Sequence, residues 1–150
     1  MFTRINYNDL RPKQKEIYNF QKVAAILADY GFNCIKLADD WQGADFLAYH
    51  KDSDRTLKAQ LKGRVTIDKK YQNKDIWMAF PINEYWYLVE HSKLLEKVAA
   101  HTNWLNTPSW IDKNGYSSNA PSKSLVEALK EYKLEPIIQA LENTPDTITQ

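Results

Sequence analysis

The sequence predicts an α/β fold, a mixed central sheet flanked by helices, in one domain over residues 1–150. Three observations carry that expectation. A stretch with helical spacing opens the chain, and a block of short runs with period-two alternation follows it. Helical patterning then returns toward the end.

Residues 1–10 are a polar lead-in, expected to fray like the tail at 143–150. Pro12 suits the first position of a helix, and Gly31 supplies a stop after Tyr30. Between them Ile17, Phe20, Val23, Ala24, Leu27 and Tyr30 recur at helical spacing. Residues 32–37 (FNCIKL) read as a first strand and 38–43 as a loop, with Asp39 and Asp40 in a turn. Residues 44–49 (ADFLAY) form a second strand, and 50–55 are a polar hairpin turn. Residues 56–65 (TLKAQLKGRV) make a third strand with strict alternation. Leu57, Ala59 and Leu61 point one way, while Lys58, Gln60, Lys62 and Arg64 point the other. The apolar runs 76–80 and 85–89 read as two more strands. Ser92 is a suitable N-cap for a helix to about residue 105, and 106–123 reads as a long loop carrying Trp110 and Tyr116. A last helix is expected over 124–142, bent at Pro136.

Composition narrows the function classes. Hydrophobic residues at 43% and charged residues at 26% suit a packed core rather than a disordered chain. A net charge of +1 excludes a globally basic nucleic-acid binder, so such a partner must be held by a local patch. The single cysteine, Cys34, has no partner for an internal disulfide, which points to a reducing, cytoplasmic compartment. The opening residues lack the apolar segment of a signal peptide, and no apolar run approaches the roughly 18 residues of a membrane span. Only four glycines occur, and no phosphate-cradling loop is among them. His50, His91 and His101 show no metal-ligand spacing, and no Ser or Cys nucleophile motif is present. The abundant Trp and Tyr are expected mainly to stiffen a core, with one or two serving as stacking platforms.

The chemistry concentrates on the hairpin at 44–65. If its strands pair about the turn near Asp52, Asp45 meets Gln60 and Lys62 at one end. A hard cation such as Mg²⁺ wants oxygen ligands. Asp45 offers a carboxylate, Gln60 an amide oxygen, and Leu61 a backbone carbonyl between them. Lys62 then stands beside the metal, placed to orient or deprotonate a water and to offset phosphoryl charge. On the first helix Glu16 falls on the stripe of Phe20, Val23 and Leu27. An acid there needs a partner, for which a metal site or Lys62 is expected. The cations Lys58, Arg64, Lys69 and Lys70 follow closely and suit a phosphate-binding patch.

The helix with Glu16, then Gly43-Ala44-Asp45-Phe46, then Gln60-Leu61-Lys62-Gly63-Arg64, resembles the core of PD-(D/E)XK nucleases. The Gln-x-Lys form is similar to the Mrr-like branch of restriction endonucleases. The resemblance spans roughly residues 12–90 and implies a restriction-endonuclease-like αβββαβ core. It also implies Mg²⁺-dependent phosphodiester hydrolysis, with Mn²⁺ able to substitute. Asp45 and Gln60 would bind metal, Lys62 would act on the nucleophile, and Glu16 would match the helix acid. The expected function is a DNA endonuclease of restriction, repair or defence type, working as a homodimer or in a larger complex. The competing expectation is a catalytically inactive module of the same fold, binding nucleic acid or a protein partner.

Overall fold

In the computed structural model, which describes residues 1–136, the helix predicted first is α1 (Pro12–Asp29). It is followed by the strands β1 (Phe32–Trp41), β2 (Ala44–His50) and β3 (Thr56–Leu61). A short strand β4 (Val65–Asp68) and a 3₁₀ turn at Lys69–Tyr71 lead to β5 (Trp77–Ile82) and β6 (Tyr85–Glu90). Then come α2 (His91–His101), α3 (Pro108–Lys113), β7 (Gly115–Ser118) and α4 (Lys123–Ala128). The main sheet has the order β1-β2-β3-β5-β6, and among the described residues its only parallel pair is β3 with β5. The expected mixed sheet flanked by helices is therefore present. A second, antiparallel sheet joins β4 to β7.

Alternation along the strands divides the core into two layers. Phe46, Ala48, Leu57, Ala59 and Leu61 pack with Val23 and Leu27 of α1, joined by Ala79 and Leu88. The other parity on β5 and β6, Met78, Phe80, Tyr87 and Val89, packs with Val65 and Ile67 of β4, Leu94 and Val98 of α2, and Leu125 of α4. Covered on both faces, β5 and β6 need continuous apolar runs, which is how they read in sequence. At the β1–β2 end Ile35 and Tyr49 stay 46% and 42% exposed, so that part of the second face is open. Among the described residues, no helix is long and apolar enough to cross a membrane.

Several expectations need correction. The segment 38–43 is not a loop, because β1 runs on to Trp41 and turns in two residues. Gln42 and Gly43 both have positive φ (55° and 85°), the geometry that a tight hairpin requires. Asp39 and Asp40 lie within the strand, exposed, where its register shifts between Lys36 and Trp41. The third strand ends at Leu61 rather than Val65. Its alternation continues in the buried pair Val65 and Ile67, but these belong to the smaller sheet. Where the αβββαβ order puts a second helix, the chain instead passes through β4 and the 3₁₀ turn.

Residues 106–123 are also structured. Thr107 caps α3 by accepting from Trp110 N–H, Pro108 starts it, and Asn114 ends it at φ 67° before β7. Helix α2 begins at His91, with no side-chain cap, and stops at His101, where Thr102 bonds back to Val98 O. The last helix stops at Ala128 and a 3₁₀ turn follows at Lys130–Tyr132, so 133–136 are not helical. The rest of that expected helix, and the tail at 143–150, lie outside the described residues. Ile17 on α1 and Tyr30 at its C-terminal cap are each 42% exposed rather than core. The lead-in is ordered in part: Tyr7–Asp9 form a 3₁₀ turn whose Tyr7 hydroxyl accepts from Asn19 Nδ2 at 3.0 Å.

Candidate active site

Pairing between β2 and β3 ends at Phe46↔Ala59, and one step further Asp45 and Gln60 meet where the strands part. Asp45 Oδ2 accepts from Gln60 Nε2 at 2.7 Å and from Leu61 N–H at 2.9 Å. A carboxylate only accepts, so Gln60 must turn its NH₂ toward Asp45 and its oxygen away. That oxygen, Oε1, is buried and has no hydrogen-bond partner. Lys62 N–H donates to Ala79 O on β5 at 2.9 Å. Backbone alternation then turns both the N–H and the C=O of Leu61 toward the β2 side, where Asp45 has taken the N–H.

The charges here are strained by desolvation. Burial raises the pKa of Asp45, partly offset by the Leu61 hydrogen bond and by the positive charges of Lys36 and Lys62. Burial lowers the pKa of Lys62, and the nearby Lys70 charge lowers it further. Asp45, Asp68 and Asp40 pull it back. The Lys62 ammonium lies 5.8 Å from the centre of the Tyr71 ring. Neither group forms an ion pair among the described residues.

Glu16 is half-exposed, and the side chain it pairs with is not the expected Lys62. Lys36 Nζ donates to it at 3.1 Å, the main reason its pKa is lowered, and Lys13 stands at 3.6 Å. Lys36 is the site residue the sequence reading missed. It shares the inward parity of Phe32 and Cys34 on β1, but parity does not name Glu16 as the group it meets.

Glu16, Asp45, Gln60, Leu61 and Lys62 line one cavity of about 480 Å³, which Tyr7, Lys15 and Asn19 help to close. The five residues expected to form the site are thus brought together. Among the described residues, no three His, Cys, Asp or Glu side chains stand close enough to hold a metal ion. The donor set is mixed instead: one carboxylate, one orphaned amide oxygen and one backbone carbonyl. Oxygen-only donors with an unpaired buried acceptor suit a hard cation such as Mg²⁺, and with a single charge such a site would be weak.

The expected phosphate-binding cations do not line that cavity. Lys69 donates to Ile111 O at 3.3 Å and lies over Trp110, while Lys70 lies over Tyr71. Lys58 is half-buried beside Leu47, and Arg64 is exposed just past Gly63. His91 is a core residue whose Nε2 accepts from Asp68 N–H, and Cys34 is a half-buried thiol that burial pushes up to about 11. No family model, no curated protein and no solved structure matches the chain.

Proposed function

We propose that the chain is a Mg²⁺-dependent endonuclease that hydrolyses phosphodiester bonds of DNA, built on a PD-(D/E)XK core of the Mrr-like kind. The observation that carries this reading is the buried, unpartnered Gln60 Oε1 beside the half-buried Asp45 carboxylate, with Lys62 lining the same cavity. Asp45, Gln60 Oε1 and the Leu61 carbonyl would hold the cation. When bound, it would supply Lewis-acid polarisation of the phosphoryl oxygens. Lys62 orients the attacking water and, with its ammonium form disfavoured by burial, accepts the water's proton. Lys36, held by Glu16, favours the ionised form of Asp45, and the Glu16 carboxylate opposes it in part. Arg64 and Lys58 meet the phosphate backbone, and a second copy or a larger assembly adds contacts that a net charge of +1 does not provide.

The mixed donor set also favours a second reading, an inactive module of this fold that binds nucleic acid or protein. Cleavage of plasmid, linear and single-stranded DNA with Mg²⁺, Mn²⁺ or chelator separates the two. Lys62→Ala is expected to slow cutting by about 10²–10⁴-fold while keeping the Mg²⁺-dependent rise in Tm. Asp45→Ala is expected to lose both. No cutting of any substrate, with no metal effect on Tm, favours the inactive module.

A further inference from the structure

We propose that the cavity adjoining the candidate active site receives an unpaired nucleobase, so that the strand acted on is single-stranded or flapped there. This rests on the nuclease reading for its function, but the pocket itself contains none of Asp45, Gln60 and Lys62. A second cavity of about 540 Å³ is lined by Tyr7, Tyr18, Lys22, Ile26, Pro81 and Trp86. That volume falls in the roughly 300–1,000 Å³ range of sites that enclose a small organic ligand. It shares Tyr7, Asn19 and Gly63 with the cavity that holds Asp45 and Lys62, so the two adjoin. The backbone at Gly63 stands open, since a Cβ built there meets nothing within 4 Å.

The two cavities differ in the way that consecutive parts of a nucleotide differ. The first carries the carboxylate, amide and ammonium groups suited to a phosphate and its cation. The second is mostly apolar and aromatic, suited to the faces of a base, with Lys22 and Glu84 as its charged groups. Cations accompany its aromatic walls: Lys15 lies 5.3 Å over the Tyr7 ring and exposed Lys22 lies 5.2 Å over Tyr18. Aromatic surface interleaved with ammonium groups is what an unpaired strand binds, by stacking and by backbone neutralisation. A base stacked in a duplex would first have to be unpaired and extruded, a cost that an unpaired base does not incur. The occupant is therefore an unpaired DNA strand running from the phosphate site across Gly63.

Fluorescence anisotropy tests this on the full chain in chelator, where nothing is cut. The probes are labelled oligo(dT), the same oligonucleotide with abasic positions, and a duplex. Wild type is expected to bind oligo(dT) more tightly than either other probe. Tyr18→Ala should weaken oligo(dT) binding by about 5- to 150-fold and leave duplex binding unmoved, while Tyr18→Phe preserves it. Lys22→Glu, an exposed change that does not threaten the fold, should weaken the same probe and flatten its salt dependence. Equal affinity for duplex and oligo(dT), or unchanged oligo(dT) affinity in folded Tyr18→Ala and Lys22→Glu, overturns the proposal. If wild type binds oligo(dT) through Tyr18 yet cuts nothing with Mg²⁺, the base pocket stands and the nuclease reading falls. If it cuts, with no Tyr18 or Lys22 dependence on any substrate, the nuclease reading stands and the base pocket falls.

Discussion

At Gln60 a neutral amide stands where a second acid would make a stronger cation site, and its spare oxygen is buried without a partner. Replacing that amide by a carboxylate sets two like charges against each other, which raises the pKa of the pair and destabilises the fold unless a cation intervenes. Gln60→Glu is expected to lose roughly 1–3 kcal/mol in chelator, read as a lower Tm. Millimolar Mg²⁺ should close most of the gap, and a gap that stays open in Mg²⁺ means Gln60 does not face a cation. At this scale Asp45, Gln60 and Lys62 were legible, because strand parity alone puts them together. The partner of Glu16 was not. Helix periodicity shows that an acid turns inward, but only the lateral position of β1 decides that Lys36 meets it.

At the scale of elements, the docking of α1 on β2 sets the distance between Glu16 and Asp45. Phe46 is fully buried there and meets the Phe20 ring edge-on at 5.5 Å. Phe46→Ala should therefore cost about 3–5 kcal/mol in urea unfolding, and any folded fraction should bind Mg²⁺ less tightly than wild type. A cost within experimental error would mean that α1 is not held at this contact. The two misread connections share a cause. Residues 56–67 keep one alternation through a change of sheet, and period two reports burial on one face without naming the partner strand. In residues 106–123 a helix start at Thr107-Pro108 and a stop at Asn114 are set among other turn formers, and the surrounding composition masks them.

For the molecule as a whole, one buried titratable group outside the site ties the two sheets and α2 together. His91 opens α2, accepts from Asp68 N–H at the end of β4, and packs against Tyr71 at 5.5 Å between ring centres. Burial lowers its pKa below the ordinary 6.5, against the pull of Asp68. Above pH 6.5 the ring is neutral both folded and unfolded, and contributes no pH dependence. As pH falls through 6.5 the unfolded chain takes up a proton that the native state refuses, so stability declines until the lowered native pKa is reached. Thermal melts from pH 8 to pH 5 should show this loss in wild type and a shallower slope in His91→Gln, which keeps an acceptor for Asp68. Parallel slopes would mean that His91 is not the group responsible.

By itself the sequence determined the α/β class, the parity of the β2 and β3 strands, and the three residues on which the proposed chemistry rests. Those features follow from periodicity, which is local and survives whatever the chain packs against. Tertiary structure decided where strands stop, because a strand ends when its neighbour does. It decided that the segment after Lys62 leaves for a second sheet with β7, some fifty residues further along the chain. It decided the Glu16–Lys36 pair and the adjoining aromatic cavity, both assembled from residues distant in sequence whose meeting no spacing rule encodes.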